Sequence, residues 1–181
     1  DMVNQVTLSN KLIDWYDKHA RKLPWRISPS DSRQGIKPDP YKVWVSEIML
    51  QQTTVQVVET HFFKFIHKWP SIYRLKKATE SEILTQWSGL GYYRRAMNLK
   101  ACADIICEKY NGNFPKNERH LLELPGIGKY TAAAILSIAY GIPSIVVDGN
   151  VERIIARLYE IKGPLNKSKS LIHKKMQVIS P

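Results

Sequence analysis

The glutamate at position 47 stands in a setting that suits acid–base chemistry. Its neighbours three and four positions away on a helix are mostly apolar: Val43, Trp44, Leu50 and Gln51. No Lys or Arg stands where it could pair locally with this carboxylate. A carboxylate that shares a face with apolar groups has a raised pKa, so Glu47 is a candidate proton donor near neutral pH. The alternative is a solvated or distantly paired glutamate.

A second carboxylate, Asp148, follows an apolar run and precedes Gly149-Asn150-Val151 at a predicted helix start. Aspartate is a favoured N-cap residue, which would explain it on structural grounds alone. The same position would keep it ionised, because backbone N–H groups and the helix dipole stabilise an anion there. Two carboxyl groups with pKa values pushed apart are typical of glycosidic-bond chemistry through an oxocarbenium-like state. That the two are neighbours in space is a hypothesis.

The segment Leu121 to Ala134, LLELPGIGKYTAAA, has two short helical patterns joined by a tight Pro-Gly linker. Gly126 and Gly128 allow backbone conformations and close approaches that a Cβ would block. The next helix should begin at about Lys129, where free N–H groups and a lysine favour phosphate. The pattern predicts a helix-hairpin-helix that grips a nucleic-acid backbone. The alternative is a structural helical hairpin.

Two other segments suit contact with a duplex. Gln51 and Gln52 end a predicted helix, and residues 90–95 (LGYYRR) form a loop made flexible by glycine. The amide pair, together with Leu and Tyr beside Arg94 and Arg95, would suit wedging into a base stack and phosphate contact. The alternative is a solvated turn with core aromatic residues.

The composition favours a polyanionic partner. The 181 residues include 27 Lys+Arg against 16 Asp+Glu, a net charge of +11 with a pI near 9.6. No run approaches the roughly 20 apolar residues of a membrane span, and no signal-peptide pattern occurs at the N-terminus. The sequence therefore predicts an intracellular protein that binds nucleic acid rather than a membrane.

No metal site is predicted. His61 and His67 lack a set of partner ligands. Cys102 and Cys107 lie five apart within one helical pattern and should point to different sides, so we expect buried thiols rather than metal ligands or a disulfide.

The periodicity is helical almost throughout, which predicts an all-α fold. The run at residues 145–147 is the one β-like piece, and residues 27–40 should form an exposed loop. Helix caps are predicted at Ser9, at Asp39 before Pro40, at Thr53 or Thr54, at Thr79 in a capping box with Glu82, and at Ser168. Four tryptophans are expected in the core: Trp15, Trp44, Trp69 and Trp87.

Taken together, these segments resemble the MutY family, the adenine DNA glycosylases of the helix-hairpin-helix superfamily. The matching segments are LPWR (23–26), PYKVWVSEIMLQQT (40–53), WSGLGYYRRAMNL (87–99), LPGIGKYTAAAILS (124–137) and VDGNVERIIAR (147–157). The combination of SEIMLQQT, GLGYY and VDGNV is highly specific.

The resemblance implies a helix-hairpin-helix DNA glycosylase fold. A helical barrel module would span about residues 27–147, with the hairpin at 118–140, and would pack against a module built from about 1–26 and 148–181. Family members continue with a C-x6-C-x2-C-x5-C motif that binds a 4Fe-4S cluster, and then with a domain that recognises 8-oxoguanine. Those cysteine ligands are absent, so the chain looks like a truncated catalytic region.

The resemblance also implies a reaction. A monomeric enzyme would flip adenine, mispaired with 8-oxoguanine or guanine, out of duplex DNA into a pocket. Glu47 would protonate the adenine ring nitrogen, Asp148 would stabilise the sugar cation, and Asn150 and Tyr130 would position the reacting groups. The location would be the bacterial cytoplasm and nucleoid, or the nucleus or mitochondrion in a eukaryote.

The remaining roles implied by the resemblance concern DNA binding. Trp25 and Arg26 would line the adenine pocket. Gln52 and Tyr92 would fill and probe the stack on the 8-oxoguanine side. Gln51 and Leu90 would support these two residues. The phosphates would be held by Gly126, Gly128 and Lys129.

One substitution separates this family from endonuclease III. That enzyme has a catalytic lysine at the position aligned with Tyr130, and tyrosine cannot form a Schiff base. Base removal without strand cleavage is therefore expected, with Lys129, one residue away, as the one feature favouring a weak lyase activity. The alternatives are an endonuclease III-like glycosylase/lyase and a non-catalytic DNA-binding module.

Overall fold

The computed structural model describes the backbone of residues 5–147, 149–161 and 165–179, and the side chains of residues 10–147, 151–161 and 167–177. Every regular element in these ranges is helical, so the predicted all-α fold is confirmed. The β-like run at 145–147 forms no strand.

Eleven helices occur in the described ranges, and one of them continues as a π-helix. They are α1 (Gln5–His19), α2 (Pro29–Arg33), α3 (Pro40–Leu50), α4 (Val55–Lys68), α5 (Ile72–Lys76), α6 (Glu80–Trp87), α7 (Arg94–Lys109), α8 (Glu118–Leu122), α9 (Lys129–Ala134) with the π-helix Ile135–Ala139, α10 (Gly149–Leu158) and α11 (Leu165–Ile179). None of these helices is both long and apolar enough to cross a bilayer.

The chain divides into two compact units. The larger comprises residues 22–144 and carries α2 to α9 with the π-helix. The smaller comprises residues 1–21 and 145–181 and carries α1, α10 and α11.

Helix α3 lies at the centre of the larger unit, where it contacts α4, α7, α9 and the π-helix. Seven of its eleven residues are buried, which follows from its nearly continuous apolar sequence. Aromatic rings fill the space around it: Trp44 lies 5.3 Å from Phe114, and Phe65 lies 4.8 Å from Trp69 between ring centroids. A well-packed central helix gives any side chain on it a fixed position.

Several predicted helix starts are confirmed. The Asp39 carboxylate accepts a hydrogen bond from the backbone N–H of Tyr41 at 2.9 Å, with Pro40 at the first helical position. Thr79 and Glu82 form the predicted capping box at α6. Thr54 is the N-cap residue of α4.

Two predicted caps are wrong, and the loop at 27–40 is not wholly irregular. Ser9 lies inside α1 and Ser168 inside α11, because apolar residues on the N-terminal side extend each helical pattern by about a turn. Within the predicted loop, Ser28 accepts a hydrogen bond from the Asp31 N–H and caps the short helix α2, with Pro29 in its first turn.

The smaller unit has its own apolar cluster. Ile155 of α10 and Ile172 of α11 are fully buried, and α1 contacts α11. The prediction that Trp15 is a core residue is wrong: it is 60% exposed and stacks on His19 one turn later, with ring centroids 4.8 Å apart. The other three tryptophans expected in the core are buried.

Candidate active site and nucleic-acid interface

Glu47 is the only acidic residue on α3, and it is half-buried among fully buried neighbours. Burial raises the pKa of its carboxyl group, and the positive charge of Arg26 acts in the opposite direction. In the part of the chain that the structure describes, no side chain forms an ion pair with Glu47 and no group donates a hydrogen bond to it. Burial therefore shifts the carboxyl group toward its protonated form, which is the form that a general acid needs.

Arg26 and Trp25 precede α2 and differ sharply in exposure. Arg26 is exposed, and its positive charge lowers the pKa of the Glu47 carboxyl group against the effect of burial. Trp25 is buried and packs edge-on against Phe62, with ring centroids 5.3 Å apart. Its place in an adenine pocket stays a prediction.

The two glutamines at the end of α3 have different surroundings. Gln51 is the C-cap residue, and its Nε2 donates to the carbonyl oxygen of Gly126 at 3.4 Å and to Thr131 Oγ1 at 3.3 Å. Gln52 is exposed and takes a left-handed backbone conformation, with φ of 59°. The Gln51 amide thus holds the hairpin from within, and the Gln52 amide, at the surface, makes no hydrogen bond to any residue that the structure describes.

The loop of residues 88–93 is a succession of sharp turns. Gly89 and Gly91 have φ of 94° and 69°, and Tyr92 follows with φ of 48°. Leu90 is buried in the core, whereas Tyr92 is 62% exposed. Of the two residues predicted to contact the base stack from this loop, only Tyr92 is at the surface.

Arg95 corrects the prediction of two phosphate-binding arginines. Arg94 is exposed, but Arg95 is only 7% exposed, and both of its terminal nitrogens donate hydrogen bonds, whereas its buried Nε has no hydrogen-bond partner among the described residues. Its acceptors are the carbonyl oxygens of Ile48, Met49, Gln51, Leu90 and Gly91 and the hydroxyl of Thr53. No local pattern predicts this burial, because most of the acceptors lie 42 to 47 residues earlier in the chain and are backbone carbonyl groups.

The hairpin has the predicted turn. Gly126 has φ of 77°, and a Cβ there would lie 3.0 Å from Asn98 Cβ, so the position needs glycine both for conformation and for space. Gly128 has open space around it, and α9 begins at Lys129 as predicted. No side chain caps the first turn of α9, and Gly128, Lys129 and Tyr130 are all exposed.

Two predicted site residues are not fully described by the structure. Asp148 lies outside the described residues. Asn150 lies in the first turn of α10, and its side chain is also outside the described part. The hypothesis that Asp148 and Glu47 are neighbours stays a prediction.

The cysteines do not fit an iron–sulfur cluster. A 4Fe-4S cluster is held by four thiolates, and the chain has two cysteines. Cys102 is buried in α7 and Cys107 is half-buried, and burial raises the pKa of both thiols. Across the described ranges no group of three or more His, Cys, Asp or Glu residues could hold a metal ion.

A protein-family model described as HhH-GPD superfamily base excision DNA repair protein matches residues 45–181. The match begins within α3 and includes Glu47, the 88–93 loop and the hairpin. The chain therefore belongs to the HhH-GPD superfamily of base excision DNA repair proteins.

Curated relatives confirm the resemblance stated from the motifs. The chain is 42% identical over 171 residues to an adenine DNA glycosylase of Buchnera aphidicola subsp. Baizongia pistaciae. The alignment covers 94% of this chain and 46% of that protein. It is 40% identical over 162 residues to the adenine DNA glycosylase of Homo sapiens, covering 89% of this chain and 30% of that protein. The chain thus spans about half the length of its bacterial relatives or less.

Solved structures confirm the predicted fold. A thermostable thymine-DNA glycosylase superposes with a TM-score of 0.77 at 29% identity, covering 97% of this chain and 78% of that one. A trapped endonuclease III–DNA covalent intermediate superposes with a TM-score of 0.71 at 21% identity, covering 99% and 80%. The second likeness concerns the fold alone.

Proposed function

We propose that the chain carries the catalytic part of an adenine DNA glycosylase that removes adenine mispaired with 8-oxoguanine or guanine in duplex DNA. The observation that carries the proposal is the state of Glu47, an acid with a raised pKa on the most buried helix of the unit, without an ion-pair partner among the described residues. The name of the two relatives, adenine DNA glycosylase, supports adenine as the base removed, and the mispair with 8-oxoguanine or guanine rests on the resemblance.

The proposed reaction is hydrolysis of the N-glycosidic bond. Glu47 donates its proton to a ring nitrogen of the flipped adenine, so adenine leaves as a neutral base and the sugar becomes an oxocarbenium-like cation. Asp148 stabilises that cation, with Asn150 and Tyr130 positioning the reacting groups, until water adds to the anomeric carbon, returns a proton to the Glu47 carboxylate and leaves an abasic site. The roles of Asp148 and Asn150 rest on the resemblance.

The duplex is held at two places in this proposal. The hairpin binds phosphates through Gly126, Gly128 and Lys129, as suits an uncapped helix start. Gln52 and Tyr92, exposed at the surface, enter the stack beside the unpaired partner base. The net charge of +11 favours the encounter with DNA.

The pocket for the extruded adenine is assigned to Arg26 and Trp25. Arg26 is exposed and its charge reaches Glu47, so a base between them would meet both groups. Trp25 would form the apolar floor of the pocket from its place beside Phe62. Gln51 and Leu90 support the wedge residues from inside the protein rather than by touching bases.

A single-turnover assay tests the proposal. Duplexes with adenine opposite 8-oxoguanine, guanine or thymine are incubated with excess protein, and products are resolved with and without alkali. We expect strand breaks that need alkali on the first two duplexes, because Tyr130 cannot form a Schiff base. Glu47→Gln should abolish excision and keep DNA affinity.

The matched control is Glu108→Gln, which removes one negative charge from an exposed surface pair with Lys76 and should leave excision unchanged. Excision that survives Glu47→Gln would refute the assignment of the acid. Breaks without alkali would indicate a lyase, and binding without any excision would indicate a non-catalytic module.

A further inference from the structure

Arg95 is a buried cation without a buried anion. The residue is 7% exposed, and no acidic side chain in the described ranges forms an ion pair with its guanidinium. Burial lowers the pKa of Arg95, as expected when the charged form loses water. A buried charge is costly unless it is hydrogen-bonded, and here the two terminal nitrogens supply those bonds while Nε has no partner among the described residues.

One nitrogen of the guanidinium caps the C-terminal end of α3, the helix that carries Glu47. Nη1 donates to the carbonyl oxygens of Ile48 at 3.0 Å and Met49 at 2.8 Å, and also to that of Gln51. These carbonyl groups lie at the negative end of the α3 dipole, where a cation is stabilised. The end of the helix that bears Glu47 is thereby fixed one turn beyond the acid.

The other nitrogen holds the opposite loop. Nη2 donates to the carbonyl oxygens of Leu90 at 2.9 Å and Gly91 at 3.1 Å and to Thr53 Oγ1 at 3.0 Å. The carbonyl of Gly91 also accepts from Trp87 Nε1 at 3.2 Å. One planar group therefore joins the end of α3 to the 88–93 loop.

The two residues that follow these carbonyls are strained. Gln52 and Tyr92 have φ of 59° and 48°, in the left-handed region that residues with a Cβ rarely adopt. Arg95 binds the carbonyl of Gln51 and of Gly91, so it fixes the peptide plane that enters each strained residue. Such conformations persist where the surrounding structure over-determines them.

We propose that Arg95 is the positioning residue that locks Gln52 and Tyr92 in their left-handed conformations, so that both side chains stand ready to enter the duplex as a pair. The proposal rests on the proposed function for its consequence, which is that base extrusion depends on a residue that touches neither DNA nor substrate. Its structural part can be tested without DNA.

The first measurement is amide hydrogen exchange on Arg95→Lys and Arg95→Met. Lysine keeps the charge but has a single nitrogen in place of the forked guanidinium, so it cannot bind the end of α3 and the 88–93 loop at the same time. We expect faster exchange at residues 51–54 and 88–93 together in both variants, with the α4 and α7 helices protected as before. The matched control, Arg74→Met, removes an exposed arginine of α5 and should change neither segment.

The second measurement places 2-aminopurine at the adenine position and follows its fluorescence on binding, in a Glu47→Gln background that prevents chemistry. We expect Arg95→Lys to lose most of the unstacking signal while its affinity for duplex stays within about threefold, because phosphate contacts supply most of that affinity. In the background with Glu47 intact, excision should fall about 100-fold, as expected for misplacement of wedge residues.

The outcomes separate the two proposals. Unchanged exchange in both loops of Arg95→Lys and Arg95→Met overturns the positioning role whatever the activity. Faster exchange with normal unstacking also overturns it, and so does the lack of any unstacking by the unaltered chain. An unaltered chain that unstacks the probe without excising adenine refutes the proposed function and leaves the positioning role supported, provided that Arg95→Lys loses the unstacking signal.

Discussion

The Nε2 of Gln51 lies 3.3 Å from Thr131 Oγ1, and through this contact the end of α3 is tied to the second helix of the hairpin. The same nitrogen donates to the carbonyl oxygen of Gly126 at 3.4 Å. The sequence motifs predicted that Gln51 belongs to the DNA-binding surface. Its amide instead forms hydrogen bonds inside the protein, which join the hairpin to the helix that carries Glu47.

Replacement of this amide should loosen the hairpin. We expect Gln51→Leu to lower the free energy of unfolding by about 1 kcal/mol, because two long hydrogen bonds are lost and their partners are left unsatisfied. Thermal denaturation measures this effect, and duplex binding should weaken with it. Gln34→Leu, at an exposed glutamine, is the control, and an equal effect there would contradict the role of Gln51.

Glu47 should make stability depend on pH with a known sign. Its pKa is raised in the folded state, so between the unfolded and folded pKa values the folded chain binds more protons and stability falls as pH rises. Glu47→Gln removes this dependence. The variant should match the unaltered chain in acid and become the more stable of the two as pH rises past the ordinary glutamate pKa. Urea denaturation at several pH values tests this, and a constant difference would contradict it.

Arg26 should set the pH range of excision. Its positive charge lowers the pKa of Glu47 against the effect of burial. Removal of that charge in Arg26→Met should raise the pKa, so the basic limb of the single-turnover rate should move to higher pH even if the rate itself falls. Arg74→Met carries the same charge change at a distant exposed site and should leave the limb in place. A limb that moved to lower pH would be inconsistent with the charge effect.

The two hairpin glycines should respond differently to alanine. Gly126→Ala forces a Cβ into the left-handed region, at roughly 1–2 kcal/mol, and places it 3.0 Å from Asn98 Cβ. Gly128→Ala meets open space at a φ of −94°, so it should cost only the weaker capping of α9 by alanine, less than about 1 kcal/mol. Chemical denaturation of the two variants measures the difference, and equal losses would show that turn geometry is not the cause.

Local signals predicted much of the framework but not what holds it together. Asp39 with Pro40, and Thr79 with Glu82, mark helix starts because their capping groups lie within a few residues of the backbone they serve. The raised pKa of Glu47 was predictable because its apolar neighbours lie on the same helix. Ser9 failed as a cap because serine also occurs inside helices.

The features that escaped prediction depend on distant parts of the chain. Arg95 was assigned to phosphate contact because a basic residue beside a glycine loop is usually exposed. Its burial is decided by carbonyl groups of α3 that carry no side-chain signature. The exposure of Trp15 likewise depends on which other helices pack against α1. The periodicity of α1 alone does not contain that information.

The long sequence separation of the Arg95 contacts has a kinetic consequence. Its acceptors at the end of α3 lie 42 to 47 residues away, so the guanidinium must stay hydrated until the intervening chain has folded into place. We expect these bonds to form after the rate-limiting barrier, so that Arg95→Met speeds unfolding and leaves the refolding rate nearly unchanged. Stopped-flow chevron plots measure both rates, and slower refolding would show that the bonds form earlier. The buried cation then slows unfolding, so it determines the lifetime of the folded state rather than the rate at which that state forms.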